Sequence, residues 1–249
     1  MKKPSYWLID AGNTRLKAAY YQGNALVDEI AVDSLEALEG RLNGWPSPRA
    51  GLLSNVGAWD FEGVPARFGG HWLSLTSDTP LPIRVAYKSP ETLGNDRRAL
   101  AVAGATFYPG RPVLVIDLGT CITYDVVDAE GTYLGGAISP GLQMRLRAMH
   151  HFTSALPLAT LPPAEGVMQT KELIPGASTE ASLQQGALEG WRGEIRHFRE
   201  AYRAQYPGMV TVVTGGDVER LAHLPKSSIF ARPKFMLSGL KSILDYNIL

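Results

Sequence analysis

The sequence predicts an α/β fold in which one β-β-β-α unit occurs twice. Strand-like segments alternate with helical segments in each half of the 249-residue chain, which is typical of α/β proteins. In addition, an apolar strand-like run that ends in aspartate and a small turn occurs twice, at Asp10 and at Asp117, 107 positions later. Such a repeat indicates an internal duplication, and we expect two domains, residues 1–110 and 111–249.

The first half contains six strand-like segments, each short, rich in β-branched or aromatic residues, and bounded by Gly, Pro, Asn or Asp. The predicted strands are 6–10, 16–21, 25–32, 51–56, 71–75 and 83–87. Two helices are predicted as well, at 34–42 and 96–107. Ser34 suits the N-cap of the first helix, and the second is rich in alanine with no helix breaker before Pro109.

The second half repeats the same order of strands, turns and helix. The glycine of the second turn, Gly23, follows Asp10 by 13 positions, and Gly131 follows Asp117 by 14. Pro140 suits the start of the helix that closes the repeat. The predicted elements are strands at 112–117, 121–127 and 132–139, a helix at 140–151, a proline-rich loop at 156–178, a helix at 179–206, a strand within 209–217, and a final helix at 232–244.

Composition excludes several classes of partner. Lys plus Arg equals Asp plus Glu at 24 each, so there is no electrostatic footprint for nucleic acid or an anionic membrane. The single cysteine, Cys121, cannot form an internal disulfide, and no Cys/His cluster has zinc spacing. Asp10 comes too early for a signal peptide, and no apolar run approaches the roughly 20 residues of a membrane span. We therefore expect a cytoplasmic protein with neither nucleic acid nor membrane partners.

The two Asp-containing turns have the residues expected of a phosphate-binding site. Backbone N–H groups in a tight turn can hold phosphate oxygens, and Thr14 and Thr120 add hydroxyl donors. A carboxylate beside phosphate is unfavourable unless a cation, usually magnesium, lies between them. Two such turns would hold one polyphosphate from two sides. The alternative is that Asp10 and Asp117 only hydrogen-bond their own turns.

The segment YKSPETLGNDRR, which begins at Tyr87, leads into the second predicted helix. An aspartate in such a position can take the proton from a hydroxyl that attacks a phosphoryl group, and Asp96 is a candidate for this role. Arg97 could pair with a substrate carboxylate through two hydrogen bonds. The alternative is that Asp96 only caps the helix, where a negative charge is favourable.

Other motifs are weaker on their own. The glycines of VVTGGD, which begins at Val212, would let a backbone lie against a nucleotide, but a plain tight turn explains them equally well. Cys121 is interpreted as a small packing residue, and His150 and His151 as residues that favour a helix C-terminus. Neither the Walker signature nor G-x-G-x-x-G is present, so nucleotide binding would need another architecture.

Together these motifs resemble the actin, Hsp70 and sugar-kinase ATPase superfamily, in which two ribonuclease-H-like domains enclose an active cleft. Within it, the chain is similar to type III pantothenate kinases over nearly its whole length. The segments that carry the resemblance occur in that family's order and approximate spacing. They are DAGNTRLK, YKSPETLGNDR, VIDLGTCITYDVVDAEGTYLGGAISPGLQM, TSALP and TGGD.

The resemblance implies that the protein phosphorylates pantothenate with ATP, the first step to coenzyme A. It implies an ATP site formed by the first turn and by Thr120 of the second, with Asp10 near magnesium through water. It further implies that Asp117 holds a monovalent cation, K⁺ or NH₄⁺, and that the protein is a homodimer. By position, the ATP-binding residues of the first turn are Asp10, Ala11, Gly12, Asn13, Thr14, Arg15, Leu16 and Lys17.

For the acceptor, the resemblance implies that Asp96 is the proton acceptor. By position, the residues that bind pantothenate are Tyr87, Gly94, Asn95, Asp96, Arg97 and Thr179. The sequence departs from the family pattern at Arg15 and Leu16, where small or polar residues are common, and at Cys121, where alanine is also usual. Two other functions stay open: a sugar-type kinase of the same superfamily, and a non-catalytic, nucleotide-binding regulatory accessory factor.

Overall fold

The computed structural model describes residues 3–12, 15–57, 59–161, 175–221, 229–231 and 234–248. The chain divides into two compact units: Met1–Thr106 together with Phe235–Leu249, and Phe107–Lys234. The boundary between the halves lies within four residues of the predicted one. The C-terminal segment differs from the prediction, because it belongs to the first unit and not to the second.

The first unit contains a five-stranded sheet in the order β3-β2-β1-β4-β5. Strand β1 is antiparallel to β2 and parallel to β4, and β4 is parallel to β5. The strands of this unit are β1 (Ser5–Ala11), β2 (Leu16–Gln22), β3 (Ala25–Val32), β4 (Ala50–Asn55), β5 (His71–Ser74) and the two-residue β6 (Arg84–Val85). The helices are α1 (Leu35–Leu42), α2 (Val64–Phe68), α3 (Asn95–Phe107) and α6 (Phe235–Ile248).

The second unit repeats this topology. Five of its strands lie in the order β9-β8-β7-β10-β11, with β7 antiparallel to β8 and parallel to β10. The strands are β7 (Val113–Leu118), β8 (Cys121–Val127), β9 (Thr132–Pro140), β10 (Val210–Thr214) and β11 (Ile229–Ala231). The helices are α4 (Leu142–His151) and α5 (Thr179–Gln205). The predicted duplication is therefore confirmed at the level of strand order and direction.

Strand β1 is buried on both faces, because alternate residues of a strand point to opposite sides of the sheet. Tyr6 and Leu8 belong to an apolar cluster that includes residues of α3 and α6. Trp7 and Ile9 belong to a second cluster on the other face, with residues of α1. Burial of this kind contributes roughly 25 cal/mol per Å² of apolar surface, so β1 is held firmly and its end is a fixed point in the unit.

Helix α6 explains why the C-terminal segment joins the first unit. Leu240, Ile243 and Leu244 are buried in the same cluster as Leu8 of β1. A Cβ atom added at Gly239 would lie 1.8 Å from the carbonyl oxygen of Ala99, so α6 and α3 meet almost backbone to backbone. The amphipathic pattern of this segment predicts a helix, but it does not report which sheet that helix covers.

Most predicted elements are confirmed, and the differences have local causes. The strand expected at 83–87 forms only over Arg84–Val85, and α2 and β11 were not predicted. Pro140 ends β9 instead of beginning a helix. Helix α4 begins at Leu142 because Gly141 occupies the N-cap and donates its N–H to the Thr120 carbonyl, 3.1 Å away. None of the helices in the described ranges is both long and apolar enough to cross a membrane.

Candidate functional site

Asp10 lies near the end of β1, and its side chain is only 7% exposed. The parallel register places Ser54 of β4 beside it, and the Ser54 hydroxyl donates to Asp10 Oδ1 over 3.2 Å. Lys17 is its partner across the antiparallel pair with β2. A buried carboxylate with one hydroxyl donor is only partly compensated for the water it loses.

The pKa of Asp10 reflects this buried environment and the charges around it. Burial raises the pKa from 3.8 to about 6, the charge of Lys17 and the Ser54 hydrogen bond lower it, and the negative charge of Asp96 raises it. Asp96 stands at the start of α3, and the neighbouring Asn95 bonds the Leu75 carbonyl just after β5. Because β5, β4 and β1 are parallel, the start of α3 is tied to the edge of the sheet at which Asp10 lies.

The turn after β1 is fixed by backbone groups on both sides. Within the turn, the Gly12 N–H donates to the Arg15 carbonyl over 3.0 Å. From the loop after β4, the N–H groups of Val56 and Gly57 both donate to the Ala11 carbonyl, at 3.0 and 3.2 Å. A further bond joins the indole N–H of Trp59 to the Gly12 carbonyl over 2.7 Å.

The other residues predicted to bind ATP in this turn have different environments. Ala11 and Leu16 are fully buried in the apolar cluster, so their side chains are not available to a ligand. Lys17 and Arg15 are exposed, and Arg15 pairs with Asp33 at 3.2 Å on the surface. Asn13 and Thr14, which the sequence places at the tip of the turn, lie outside the described residues.

Asp96 occupies the first turn of α3, as predicted. Its Oδ1 atom accepts the backbone N–H of Arg97 over 2.8 Å. A Cβ atom at position 94 would lie 2.5 Å from the same oxygen, so Gly94 is required for this carboxylate to fold back over the helix start. Asn95 donates from its side-chain amide to the Leu75 carbonyl over 2.8 Å, which ties the helix start to the end of β5.

Arg98 is a structural residue of this segment that sequence reasoning missed. It is 2% exposed and donates to three backbone carbonyls, those of Leu93, Ser77 and Pro90, which brings both loops before α3 onto the helix. The sequence offers only an Arg-Arg pair at this place. Because both arginines follow Asp96 directly, the pattern does not indicate which one is structural.

Arg97 is buried at 5% exposure, and its guanidinium lies 5.8 Å from the centre of the Tyr87 ring. This is the range in which a cation interacts favourably with an aromatic face. Tyr87 is half-buried. The structure thus brings together five of the residues predicted to bind pantothenate, since Tyr87 contacts Arg97 and the segment from Gly94 to Arg97 is continuous.

The second turn resembles the first in its backbone bonds. Asp117 pairs with Thr214 of β10, just as Asp10 pairs with Ser54 of β4. The Gly119 N–H donates to the Cys121 carbonyl over 3.1 Å, and the Asp217 N–H donates to the Leu118 carbonyl over 3.1 Å. Asp117 is half-buried, and so is less shielded than Asp10.

Two glycines, Gly215 and Gly141, allow their backbone segments to approach the second turn closely. Gly215 has a φ of +101°, and a Cβ atom there would lie 2.6 Å from Asp117 Oδ1 and 2.4 Å from the Leu118 carbonyl oxygen. At Gly141 it would lie 2.6 Å from the Thr120 carbonyl oxygen. The predicted Gly-Gly turn is therefore a close backbone approach to the second Asp turn. Thr120 itself is exposed.

A polar cluster centred on Glu194 joins β8, β9, α4 and α5 in the second unit. Glu194 accepts from Tyr124 over 2.9 Å, and from Ser139 and Arg145, while Arg145 also donates to the Pro140 carbonyl over 2.9 Å. Burial raises the pKa of Glu194, but these hydrogen bonds and the Arg145 charge outweigh it, so the pKa is lowered. Burial, followed by the Glu194 hydrogen bond, raises the pKa of Tyr124.

The remaining predicted residues lie in the second unit. Thr179 is the first residue of α5 and is exposed, with Ser178 as N-cap accepting the Ala181 N–H over 3.2 Å. Cys121 is half-buried at the start of β8. His150 contacts the Leu156 carbonyl through Nδ1 at 2.8 Å, near the C-terminus of α4.

Oxygen ligands for a divalent cation are supplied by few groups. No cluster of three or more His, Cys, Asp or Glu side chains occurs in the part of the chain that the structure describes. Asp10 offers a carboxylate near the end of β1, which fits magnesium, since that ion is usually bound by one or two carboxylates, phosphate oxygens and water. Asp10 could thus hold a magnesium ion together with a polyphosphate.

Comparison with known proteins shows which family and which solved structures this chain is similar to. A family model described as type III pantothenate kinase matches residues 64–201. A type III pantothenate kinase from Christiangramia forsetii is 39% identical over 244 residues, covering 96% of this chain and 98% of the relative. Among solved structures, a chain described as a Baf family transcriptional activator from Campylobacter jejuni has a TM-score of 0.60 at 20% identity, covering 97% of this chain and 98% of that one.

A second solved structure extends the fold comparison to sugar kinases. A ROK family glucokinase from Streptomyces griseus, in complex with glucose and AMPPNP, has a TM-score of 0.52 at 14% identity and covers 97% of this chain and 98% of its own. At such low identity both structures show the fold alone. They support the predicted actin-like arrangement of duplicated domains, which agrees with the strand order of the two sheets.

Proposed function

Because this chain belongs to the type III pantothenate kinase family, we propose that its first unit carries the acid–base chemistry of pantothenate phosphorylation. The protein is an ATP-dependent kinase that converts pantothenate to 4′-phosphopantothenate, the first step of coenzyme A biosynthesis. One observation supports the site assignment above all: Asn95, which precedes Asp96, bonds the Leu75 carbonyl just after β5, and the parallel strands β1, β4 and β5 end at the same edge of the sheet as Asp10. The proposed base and the proposed metal-binding carboxylate belong to segments that meet at this edge.

Asp96 is the proton acceptor in this proposal. In phosphoryl transfer the protein mainly positions the reactants and stabilises charge, and a carboxylate near the attacking hydroxyl accepts its proton. Oδ1 of Asp96 is held by the Arg97 N–H, and the absence of a side chain at Gly94 leaves the space that this rotamer needs. The side chain is therefore oriented before the substrate binds.

Asp10 would hold magnesium through water, and each of the two Asp turns would bind phosphate. When bound, the ion offsets the negative charge of the phosphates and of the buried carboxylate. The first turn (Gly12 to Lys17) contributes backbone N–H groups and the exposed Lys17, and the second contributes Thr120. Leu16 takes part only through its backbone, because its side chain is in the core.

Pantothenate is bound by the segment from Gly94 to Arg97, by Tyr87 and by Thr179. Arg97 carries a positive charge beside the Tyr87 ring, which suits a carboxylate-bearing acceptor and gives no advantage to a neutral sugar. Tyr87 provides an apolar surface and Arg97 a charged one. This is the observation that favours pantothenate over the sugar-type alternative within the site itself.

The enzyme is further proposed to be a cytoplasmic homodimer without nucleic acid or membrane partners.

Asp117 binds a monovalent cation, K⁺ or NH₄⁺, beside the second turn. The half-buried carboxylate of Asp117 and the neighbouring carbonyl of Leu118 are oxygen donors of the kind that such a cation requires. Replacing potassium by lithium in the assay should lower kcat severalfold. Unchanged turnover would remove the cation assignment.

ADP release coupled to NADH oxidation separates the three candidate functions. We expect turnover with pantothenate and none with a panel of hexoses. Turnover with hexoses alone would support the sugar-kinase alternative. ATP binding without turnover on any acceptor would support a nucleotide-dependent regulator.

A further inference from the structure

We propose that Trp59 is a positioning residue for the first phosphate-binding turn, because its indole N–H holds the Gly12 carbonyl in a fixed orientation. Trp59 lies in the loop after β4 and does not belong to any of the motifs from which the family was identified. This inference rests on the proposed function, in which that turn binds ATP. Trp59 orients the turn and is distinct from the residues that touch the nucleotide.

The contact is short and well supported. Trp59 Nε1 lies 2.7 Å from the Gly12 carbonyl oxygen, at a partly buried site. The indole also packs against the core cluster that contains Trp7 and Ile9 of β1. An indole N–H is a donor only, so this side chain cannot exchange its role with a neighbouring acceptor.

Gly57 permits the approach of the indole to the turn. A Cβ atom at this position would lie 2.6 Å from the Gly12 carbonyl oxygen and 2.6 Å from Cδ1 of Trp59. Real Cβ atoms do not come that close, so any larger residue at position 57 would push the indole and the turn apart. The glycine is needed for space, and its N–H also donates to Ala11.

Asn55 holds the loop in the conformation that presents the indole. Its side-chain amide donates to the Trp59 carbonyl over 2.9 Å, and its Oδ1 accepts the Gly57 N–H over 3.2 Å. One side chain thus bridges both ends of the loop. Asn55 thus holds the loop from which Gly57 and Trp59 donate to the carbonyls of Ala11 and Gly12.

The direction of the Gly12 carbonyl matters for an anion site. Phosphate oxygens are attracted by N–H groups and repelled by carbonyl oxygens. Because the Trp59 indole holds the Gly12 carbonyl oxygen toward the loop, that oxygen is not free to turn toward a bound phosphate. Loss of the bond would free the carbonyl and weaken phosphate binding.

The protein offers a matched control. Trp72 of β5 also donates its indole N–H to a glycine carbonyl, that of Gly69, over 2.8 Å, but at an exposed site outside both Asp turns. Replacing either tryptophan by phenylalanine removes the same kind of bond. A second variant carries benzothienylalanine at position 59, which keeps the size of the ring system and removes only the N–H.

The test compares W59F, W72F and the benzothienylalanine variant with the wild type in steady-state kinetics and in calorimetric titration with AMPPNP. We expect W59F and the benzothienylalanine variant to raise KM for ATP and Kd for AMPPNP about five- to tenfold, as for one lost hydrogen bond. KM for pantothenate should stay within twofold, and W72F should leave all three constants within twofold. Merely structural damage would lower kcat and leave both KM values unchanged.

Two results would overturn the inference: AMPPNP binding by the benzothienylalanine variant equal to the wild type, or an equal loss of nucleotide affinity in W72F. Failure of the proposed function is distinguishable, because the wild type would then show no pantothenate-dependent turnover. The AMPPNP titration would still report whether Trp59 orients the turn.

Discussion

The two Asp turns have the same backbone plan but different supports. In both, the strand that ends in the turn is parallel to a later strand, and a loop N–H after that strand donates to the carbonyl that follows the aspartate. Around Asp10 the supporting loop uses side chains, those of Asn55 and Trp59. Around Asp117 the corresponding loop uses the close approach of Gly215.

The burial of the two aspartates differs as well. Asp10 is 7% exposed and has a pKa raised to about 6, whereas Asp117 is half-buried. A duplicated unit has thus kept its topology while the two turns have acquired separate environments. In the proposal, the more buried aspartate faces the divalent cation and the more open one a monovalent cation, which needs less charge compensation.

Removing the Asp10 charge should have the largest effect. Because Asp10 is proposed to hold magnesium, D10N should lower kcat/KM for ATP by about two to three orders of magnitude, as when a single group that stabilises transition-state charge is lost. The same change should stabilise the ligand-free protein. An asparagine at this position can still accept from Ser54 and has no charge to bury.

The sign of this stability effect depends on pH. Asp10 has a pKa of about 6 when folded, against 3.8 ordinarily, so the stability it contributes is present below pH 3.8 and is lost as pH rises to 6. At pH 8, D10N should exceed the wild type by up to about 3 kcal/mol in the free energy of unfolding, and the gain should shrink toward pH 4. Urea denaturation at both pH values measures this. A less stable D10N at pH 8 would contradict the burial argument.

Disrupting one support of each turn should show that the second turn loses more stability than the first. G215A places a Cβ atom against Leu118 and Asp117 at a φ of +101°, and should cost roughly 2–4 kcal/mol of stability. The equivalent position in the first unit is Asn55, and N55A should cost only about 1 kcal/mol, the value of its side-chain hydrogen bonds. Thermal unfolding of both variants is the measurement. Equal losses would mean that both turns are supported in the same way.

Breaking the polar cluster around Glu194 should have a smaller effect on stability. R145M leaves the partly buried Glu194 carboxylate without its cation and should cost about 1–2 kcal/mol at pH 7. Since the pKa of Glu194 is lowered in the folded protein, this contribution is present above pH 4.5 and disappears as pH falls through the folded value. R15M, which breaks the exposed pair with Asp33, is the control and should change stability by less than about 0.5 kcal/mol. A similar loss in both variants would refute the role of the cluster.

Local patterns predicted much of the chemistry. The strand that ends in Asp10, its repeat at Asp117, and the helix that begins beside Asp96 all follow from short stretches of sequence, and the structure contains them. The meeting of the Asp10 strand and the start of α3 at one edge of the sheet does not follow from any local pattern. Spacing alone does not bring residues so far apart in sequence to one site.

The missed features depend on contacts between distant segments. Ser54, Asn55 and Trp59 act on the first turn because parallel strands β1 and β4 end at the same edge of the sheet. A signal was present: the sequence SNVG at the end of β4 stands where TGGD stands at the end of β10. Only TGGD indicates a close backbone approach, since paired glycines are conspicuous and a single glycine behind an asparagine is not. The place of α6 in the first unit gave no local signal at all.

The most direct test of the account is the rate of phosphoryl transfer by D96N at saturating ATP and pantothenate, with AMPPNP titration alongside. If Asp96 is the proton acceptor, kcat should fall by about two to four orders of magnitude while Kd for AMPPNP changes by less than threefold. Near-normal kcat in D96N would contradict the assignment of Asp96 as the base.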